Sequence, residues 1–331
     1  MSSPFVSVII PCRNEEHFIR TVLDNLVAQD YPKDKMEVLF GDGGSTDKTR
    51  MIIAEFSQLY PWIRQFNNPR KTVPFAMNEG IRLANGDIIV RMDAHASFPK
   101  DYISKLVYWQ QKLNADNVGG IWITKPSSET IKAEAIAEVL TNPFGVGNSM
   151  FRIGVNELVE TDTVPFGCYP KDIFERYGYY DERLERNQDI ELNKRIKASG
   201  GKIYLVPDVS CIYYSRSTFS KMAENNFRNG EWVILTSYYT GKVTSLSLRH
   251  FIPLGFLLYL LSAPLWLMFS FIFSVPMIIY FISLLYVSIQ VSLRKRKPIL
   301  ALFVAYGLLV LHVSYGAGCL YGLWRLLIRK V

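Results

Sequence analysis

The 331 residues contain no CxxC pair, no internal repeat and no low-complexity tract. Cys12, Cys168, Cys211 and Cys319 are far apart, which argues against a disulfide framework or a zinc site and for a reducing compartment. No Gly-Lys-Ser/Thr follows a glycine-rich turn and no GxGxxG is present, so neither common nucleotide loop can be invoked. The first residues lack a basic n-region and a long apolar stretch; the sequence predicts no secretory leader and a soluble part that stays in the cytoplasm. Charge is missing altogether from Phe251 to Leu293, whereas the first 245 or so residues have ordinary globular composition. The mean hydropathy of +0.09 averages two regimes and describes neither. Two domains are therefore expected, residues 1–245 and 246–331. The net charge of +7 is modest and part of it flanks the apolar segments, which suits an anionic membrane surface and not nucleic acid.

What is present in the first 245 residues is strand followed by helix, repeatedly. Val6–Ile10 is a β-branched apolar run stopped by Pro11, and apolar positions from Phe18 to Val27 have helical spacing. Glu37–Gly41 predicts a second strand and Thr49–Leu59 a second helix; this alternation argues for a parallel sheet. A third helix is expected from Pro74 to Asn85 with Ala76, Ile81 and Leu83 inward, then a strand over Asp87–Met92. A helix from Pro99, a strand over Val118–Thr124, a helix from about Asp189 to Ala198, a strand over Lys202–Val206 and an amphipathic helix over Ser220–Trp232 follow. Residues 125–165 carry weaker signals, with Gly145-Val-Gly147 reading as a flexible stretch.

Three places carry candidate chemistry. Asp93 and His95 follow an apolar strand and, being two residues apart, point the same way from an extended segment. A carboxylate and an imidazole are a partial shell for Mn²⁺ or Mg²⁺ that phosphate oxygens and water would complete; a helix-capping aspartate beside a surface histidine is the plainer alternative. Asp42-Gly-Gly-Ser-Thr-Asp47 follows another strand; its glycines permit close backbone approach of a ligand, while Ser45, Thr46 or Asp47 can equally cap the next helix. Asp189 falls in a first helical turn, where a carboxylate can accept a proton but is also favoured for stability alone.

The C-terminal part predicts apolar segments at about 251–272, 274–293 and 299–322, each near the roughly 20 residues needed to cross a bilayer. Arg294–Lys297 favours the cytoplasmic side. A third crossing would leave Arg325, Arg329 and Lys330 outside, against that rule, so a re-entrant or interfacial segment stands beside it. Gly318-x-x-x-Gly322 reads either as a close-packing motif or as ordinary glycine content. His312 is expected to be a buried polar contact.

Taken in order, Val6-Ser-Val-Ile-Ile-Pro11-Cys-Arg13-Asn14-Glu15, Asp42-Gly-Gly-Ser-Thr-Asp47, Asp93-Ala-His95 and Gln188-Asp189 resemble the inverting family 2 glycosyltransferases. The stretches Arg91–His95, Asn187–Asn193 and Tyr213–Ser217 resemble the succinoglycan-type, membrane-attached glucosyltransferases within it. The resemblance covers roughly residues 4–245. It implies an α/β GT-A catalytic domain, Rossmann-like with a mostly parallel sheet, followed by transmembrane helices. It further implies that Pro11, Arg13 and Glu15 line a nucleotide pocket, that Asp42 holds the uracil or ribose, that Asp93 and His95 bind metal and diphosphate, and that Asp189 is the catalytic base. The cofactor would be Mn²⁺ or Mg²⁺; the partners would be a nucleotide-sugar donor, a lipid-linked acceptor and the bilayer. The expected place is the cell membrane, multi-pass, with the catalytic domain cytoplasmic. Two departures stand out: His95 replaces the family's second DxD acid, and Gln188 stands where a glutamate commonly precedes the base. A polyprenyl-phosphate acceptor and a non-catalytic scaffold that binds nucleotide sugars are the alternatives. A processive synthase is disfavoured because Asn229-Gly-Glu-Trp232 stands where QxxRW would.

Overall fold

The computed structural model describes residues 3–265 and 271–328. The chain falls into two compact units: residues 1–123 with 154–213, and residues 124–153 with 214–331. This division does not coincide with the boundary at 245 expected from composition. Residues 131–140, whose polarity resembles that of a soluble helix, group with the apolar C-terminal helices because they share one core with them.

In the first unit the elements are β1 (Val6–Cys12), α1 (Ile19–Val27), β2 (Met36–Asp42), α2 (Thr49–Leu59), β3 (Ile63–Asn67), α3 (Val73–Leu83), β4 (Ile88–Arg91), β5 (Ala96–Ser97), α4 (Tyr102–Leu113) and β6 (Asn117–Lys125). After residues that belong to the second unit come β7 (Val159–Glu160), β8 (Cys168–Pro170), α8 (Ile173–Tyr177), α9 (Gln188–Ala198) and β9 (Ile203–Tyr214). The sheet order is β3-β2-β1-β4-β8-β6-β9-β5, with β7 on β9. The first four strands are parallel, as expected; β4–β8, β6–β8, β5–β9 and β7–β9 are antiparallel, so the sheet is mixed.

The reason β1, β2 and β4 sit at the centre is their sequence. Apart from Ser7, Glu37 and the terminal Asp42 and Arg91 they are apolar on both faces, and all but Pro11 are buried, as in strands covered by helices on both sides. Register places the ends of β1 and β2 side by side, Cys12 opposite Asp42, and Ile9 of β1 opposite Arg91 at the end of β4. Pro11, Asp42 and Asp93 therefore emerge along one edge, the carboxyl ends of parallel strands, where open α/β sheets bind ligands. Of the inward residues expected on α3, Ala76 and Ile81 are fully buried, but Leu83 is 45% exposed because it occupies the last turn, past the edge of the sheet. β3 carries no clear strand signal in the sequence because its exposed edge positions, Arg64 and Gln65, are polar.

The second unit comprises α5 (Ile131–Leu140), α6 (Pro143–Val146), α7 (Met150–Ile153), α10 (Phe219–Thr240), α11 (Ile252–Leu261), α12 (Val275–Lys295) and α13 (Leu300–Leu327). Gly145 lies in α6, and Gly147 ends that helix with φ 60°. The helices at 271–295 and 300–327 are long and apolar enough to cross a membrane. The first expected segment is shorter: its helix ends at Leu261, residues 263–265 are again helical, and residues 266–270 lie outside the described residues, as do Arg329 and Lys330. His312 is the buried polar contact expected, with Nδ1 2.9 Å from the Tyr280 hydroxyl and Nε2 3.0 Å from the Phe144 carbonyl.

One buried carboxylate fastens the parallel strands. Glu37 of β2 accepts from Ser7 Oγ (2.7 Å), the Asn85 amide (2.6 Å) and Asn85 Nδ2 (3.1 Å), and pairs with Arg64. Burial alone would raise its pKa; the bonds from Asn85, Ser7 and Arg64 outweigh that and hold it below the ordinary value of 4.5. A carboxyl whose folded pKa is depressed contributes stability above its unfolded pKa and loses it as pH falls through the folded one. Glu37→Gln is expected to cost about 1.5–3 kcal/mol at neutral pH and to flatten the loss of stability below pH 4.5; a denaturant titration series at several pH values reads both.

Candidate active site

The edge formed by the ends of β1, β2 and β4 is closed by loops that lock one another. The Asn14 amide donates to Ser45 Oγ (2.9 Å), and Asn14 Oδ1 accepts from the Thr46 amide (2.9 Å). Asn14 does this from a left-handed conformation, φ 56°, which asparagine tolerates better than most residues. The Glu15 amide donates to Thr49 Oγ1 (2.7 Å), and the Glu16 amide to Asp47 Oδ2 (3.1 Å). Asp47 also accepts from the Thr49 amide at 3.0 Å, so it holds the first turn of α2, one of the capping roles open in the sequence.

Asp42 is only 2% exposed. Its carboxylate accepts from the Gly44 and Ser45 amides (3.2 Å each) and from Ser45 Oγ (2.5 Å), with Arg50 Nε 3.5 Å away. As it stands, it shapes the Gly43–Ser45 turn. Arg13 is exposed and its aliphatic stem lies against Gly43, where a Cβ would stand 3.3 Å from it. Pro11 is half-buried at the same edge.

Asp93 and His95 do not sit on an extended segment as expected: residues 94–95 form a turn, which sends His95 to Glu15 and leaves Asp93 to Arg91. His95 Nδ1 lies 3.2 Å from Glu15 Oε1. A carboxylate facing Nδ1 favours the tautomer with the proton there and the lone pair on Nε2, the arrangement that metal-ligating histidines commonly use. Asp93 is 23% exposed and meets Arg91 through Oδ1, at 3.2 Å from Nη2 and 3.3 Å from Nε.

Arg91 is the central residue of this edge that the motifs do not single out. It ends β4, its side chain is only 8% exposed, and its Nη1 lies 3.8 Å from Asp189 Oδ2. That nitrogen is buried and makes no hydrogen bond among the described residues. Burial would lower the Arg91 pKa, but the Asp93 and Asp189 carboxylates hold it well above its ordinary value, so the guanidinium stays charged. The signal was legible: a lone cation ending the apolar run Ile88-Ile89-Val90 must find carboxylates or destabilise the strand. Through this one side chain, residues 93 and 189, far apart in sequence, reach a common point.

Asp189 is 29% exposed and, besides facing Arg91, accepts from the Ile190 amide through Oδ1 at 2.9 Å. Its helix is pinned from behind. Arg195 donates to the Tyr177 and Tyr179 carbonyls and pairs with Glu191 (2.7 Å), while Asn193 bridges Thr163 and Asn117 at 2.9 Å each. Asn187, with φ 61°, turns the chain into that helix. Gln188 is buried; its Oε1 and Asn187 Nδ2 are without hydrogen-bond partners among the described residues. Arg70, in the loop after β3, is 2.6 Å from Glu182. The groove lined by Arg20, Asp24, Glu55 and Tyr60 lies between α1 and α2 and includes none of these residues.

Among the described residues no three His, Cys, Asp or Glu side chains form a metal cage. Asp93 and His95 supply two donors of the right chemistry, and Mg²⁺-type sites routinely take the remainder from substrate phosphate and water. The donor set fits a metal that arrives with a nucleotide diphosphate, not one bound in advance.

Comparison with known proteins matches residues 7–178 to the family described as Glycosyl transferase family 2. A relative from Methanococcus voltae, named dolichyl N-acetyl-alpha-D-glucosaminyl phosphate 3-beta-D-2,3-diacetamido-2,3-dideoxy-beta-D-glucuronosyltransferase, is 31% identical over 324 residues, 94% of this chain and 95% of its own length. The succinoglycan biosynthesis protein ExoA of Rhizobium meliloti is 28% identical over 321 residues, 96% and 93% of the two chains. In fold, the chain resembles the mannosyltransferase PcManGT from Pyrobaculum calidifontis, solved with GDP-Man and Mn²⁺, at a TM-score of 0.64 and 20% identity, covering 98% of this chain and 88% of that one. These likenesses bear out the α/β GT-A fold read from the motifs.

With two protein donors only, titration of Mn²⁺ into the protein alone is expected to show no binding at micromolar concentration, and titration in the presence of UDP to show it. Asp93→Ala is expected to abolish the metal-dependent part of UDP affinity; calorimetry giving the same UDP affinity with Mn²⁺ for both proteins would count against the assignment.

Proposed function

The chain belongs to glycosyl transferase family 2, and we propose that it transfers a sugar from a nucleotide diphosphate sugar, with UDP as the nucleotide, to a lipid-linked saccharide during assembly of a cell-surface polysaccharide. The lipid-linked acceptor is supported by the Methanococcus relative, whose name places the acceptor sugar on dolichyl phosphate, and the polysaccharide by the succinoglycan relative. The observation that supports the reading is Arg91 between Asp93 and Asp189, two carboxylates around one buried charge.

The chemistry follows from where these groups stand. A nucleotide diphosphate leaves as a multiply charged anion, and a divalent metal bound at Asp93 and His95 would offset that charge. The Gly43–Ser45 turn, held by Asp42, presents backbone and Arg13 to the nucleotide; Pro11 and Glu15 complete that wall. Asp189 takes the proton from the acceptor hydroxyl as its oxygen attacks the anomeric carbon. The bond from that carbon to the diphosphate oxygen breaks on the opposite face, so one displacement inverts the configuration. Arg91 keeps the base from drifting and balances its charge.

Polyprenyl phosphate as acceptor would be served by unpaired cations beside the membrane. The basic run does not offer many: Arg294 and Lys295 both pair with Glu138, and Lys297 pairs with Glu134 at 2.6 Å. This favours the saccharide acceptor. The protein works at the membrane on its cytoplasmic face in this reading, which rests on the apolar helices and on the basic run that ends the first of them.

A donor screen with membrane extract, reading nucleotide diphosphate released, tests transfer itself; a scaffold would bind donor and release none. Asp189→Asn is expected to keep donor affinity and to lose turnover by about 10²–10⁴-fold. Transfer at the wild-type rate by that variant would remove the base assignment.

A further inference from the structure

The long apolar helices of the second unit have the length to cross a bilayer, but their packing partner does not permit it. α13 runs parallel to α10. Near its start, Phe303 lies parallel to the ring of Phe219, the first residue of α10, and Tyr306 meets that ring edge-on. Further along, Gly318 meets the backbone at Phe227, and Gly230 of α10 meets Tyr315; a Cβ at either glycine would stand 1.9–2.0 Å from a carbonyl oxygen. Near the other end, Arg325 pairs with Glu231 at 2.6 Å. The glycine pair at 318 and 322 is thus a close-packing device, and the helix it fits is α10: Gly322 lies against Glu231 and Ile234.

α10 is not a membrane helix. Met222, Asn226 and Gly230 form its buried stripe, while Lys221, Glu224 and Arg228 form a second stripe on the opposite face. Glu224 and Arg228 are 65% and 57% exposed. Those charges stand beside the middle of α13. Glu224 and Arg228 pair with each other at 3.0 Å, and Lys221 stands exposed on the same stripe. Turning α13 across a bilayer would carry all three into the hydrocarbon, which is costly for charged side chains even when two of them are paired. From Arg228 to Lys242, the next exposed cation, α10 and the residue after its glycine cap rise only about 20 Å, too little to span a ~30 Å core.

α12 shares this constraint. It returns antiparallel along α13, joined to it at one end by Ser292 Oγ to the Lys297 carbonyl (3.0 Å) and at the other by Tyr280 to His312 (2.9 Å). Its outer side is apolar and exposed, with Ile279, Ile282, Leu285 and Ile289 each more than half exposed. The result is a layered raft: a charged stripe on α10, then α13, then an apolar face on α12.

We infer that this raft lies in one leaflet of a bilayer, with α13 flat between water-facing α10 and lipid-facing α12, and that α13 does not cross. The occupant of the apolar face is lipid and not a second copy, because the helix that carries it ends in the basic run Arg294–Lys297, with Arg296 exposed, as a lipid-facing helix ends at an anionic headgroup region. This places Arg325 on the same side as Arg294–Lys297 and removes the conflict with the positive-inside rule that a third crossing creates. It also replaces the multi-pass topology expected from hydropathy with attachment from one face. The inference rests on helix packing and is independent of the proposed reaction.

The four native cysteines are buried, so an impermeant maleimide should see introduced thiols only. Arg296→Cys and Leu327→Cys place thiols at exposed positions at the two ends of α13, in the full chain and in sealed vesicles of known orientation. Labelling of both from the same face, or shielding of residue 327 from both faces until detergent is added, supports the flat placement. Labelling of residue 327 only from the face opposite residue 296 overturns it, as does recovery of the unmodified protein as a lipid-free soluble dimer.

Discussion

A single buried guanidinium organises the catalytic edge. Arg91 enters the site at the end of a strand whose other residues are apolar, and a cation so placed persists only if carboxylates surround it. Asp93 comes from the same chain segment two residues on. Asp189 comes from the start of a helix nearly a hundred residues later, held by the Arg195 and Asn193 contacts behind it. Folding therefore has an electrostatic reason to bring the two acids together, and the proposed reaction uses the result, with one acid at the diphosphate and the other at the acceptor hydroxyl.

The same pairing of charges bears on the two departures from the family pattern. His95 in place of an acid removes a negative charge, yet Glu15 stands against its Nδ1 and returns a carboxylate to the same corner. Gln188 leaves Asp189 without a neighbouring acid, and the Arg91 contact supplies orientation from the other side. Asp42 is the contrasting case. Its oxygens accept from the Gly44 and Ser45 amides, so in this structure it holds the shape of that turn.

Much of this architecture is legible in the amino-acid pattern. Strands β1, β2 and β4 announce themselves because a strand buried on both faces must be apolar throughout, and the acids that follow them fall at their carboxyl ends by register alone. The helix from Thr49 to Leu59 and the end of α9 at Ala198 agree with their caps and spacing. Three things are hidden. α5 has a weak pattern because it packs on helices of the second unit over most of its surface, so Ala133, Ala135, Ile136, Val139 and even Glu138 are buried without leaving a single stripe. The antiparallel half of the sheet is built from strands as short as two residues, below the length at which alternation can be seen. Arg91 is hidden because its importance lies in what folds against it. In the second unit, hydropathy finds the apolar helices but not their orientation, which is decided by the polar partner α10 packed along α13.

The central claim is that one charge holds both acids. Arg91→Met and Arg91→Lys, compared for donor affinity by calorimetry and for turnover by nucleotide release, test it most directly. The account predicts that the methionine variant loses both donor affinity and turnover, and that lysine, which keeps the charge but not the forked geometry, restores affinity more fully than turnover. A methionine variant that is stably folded and retains wild-type values for both would contradict it.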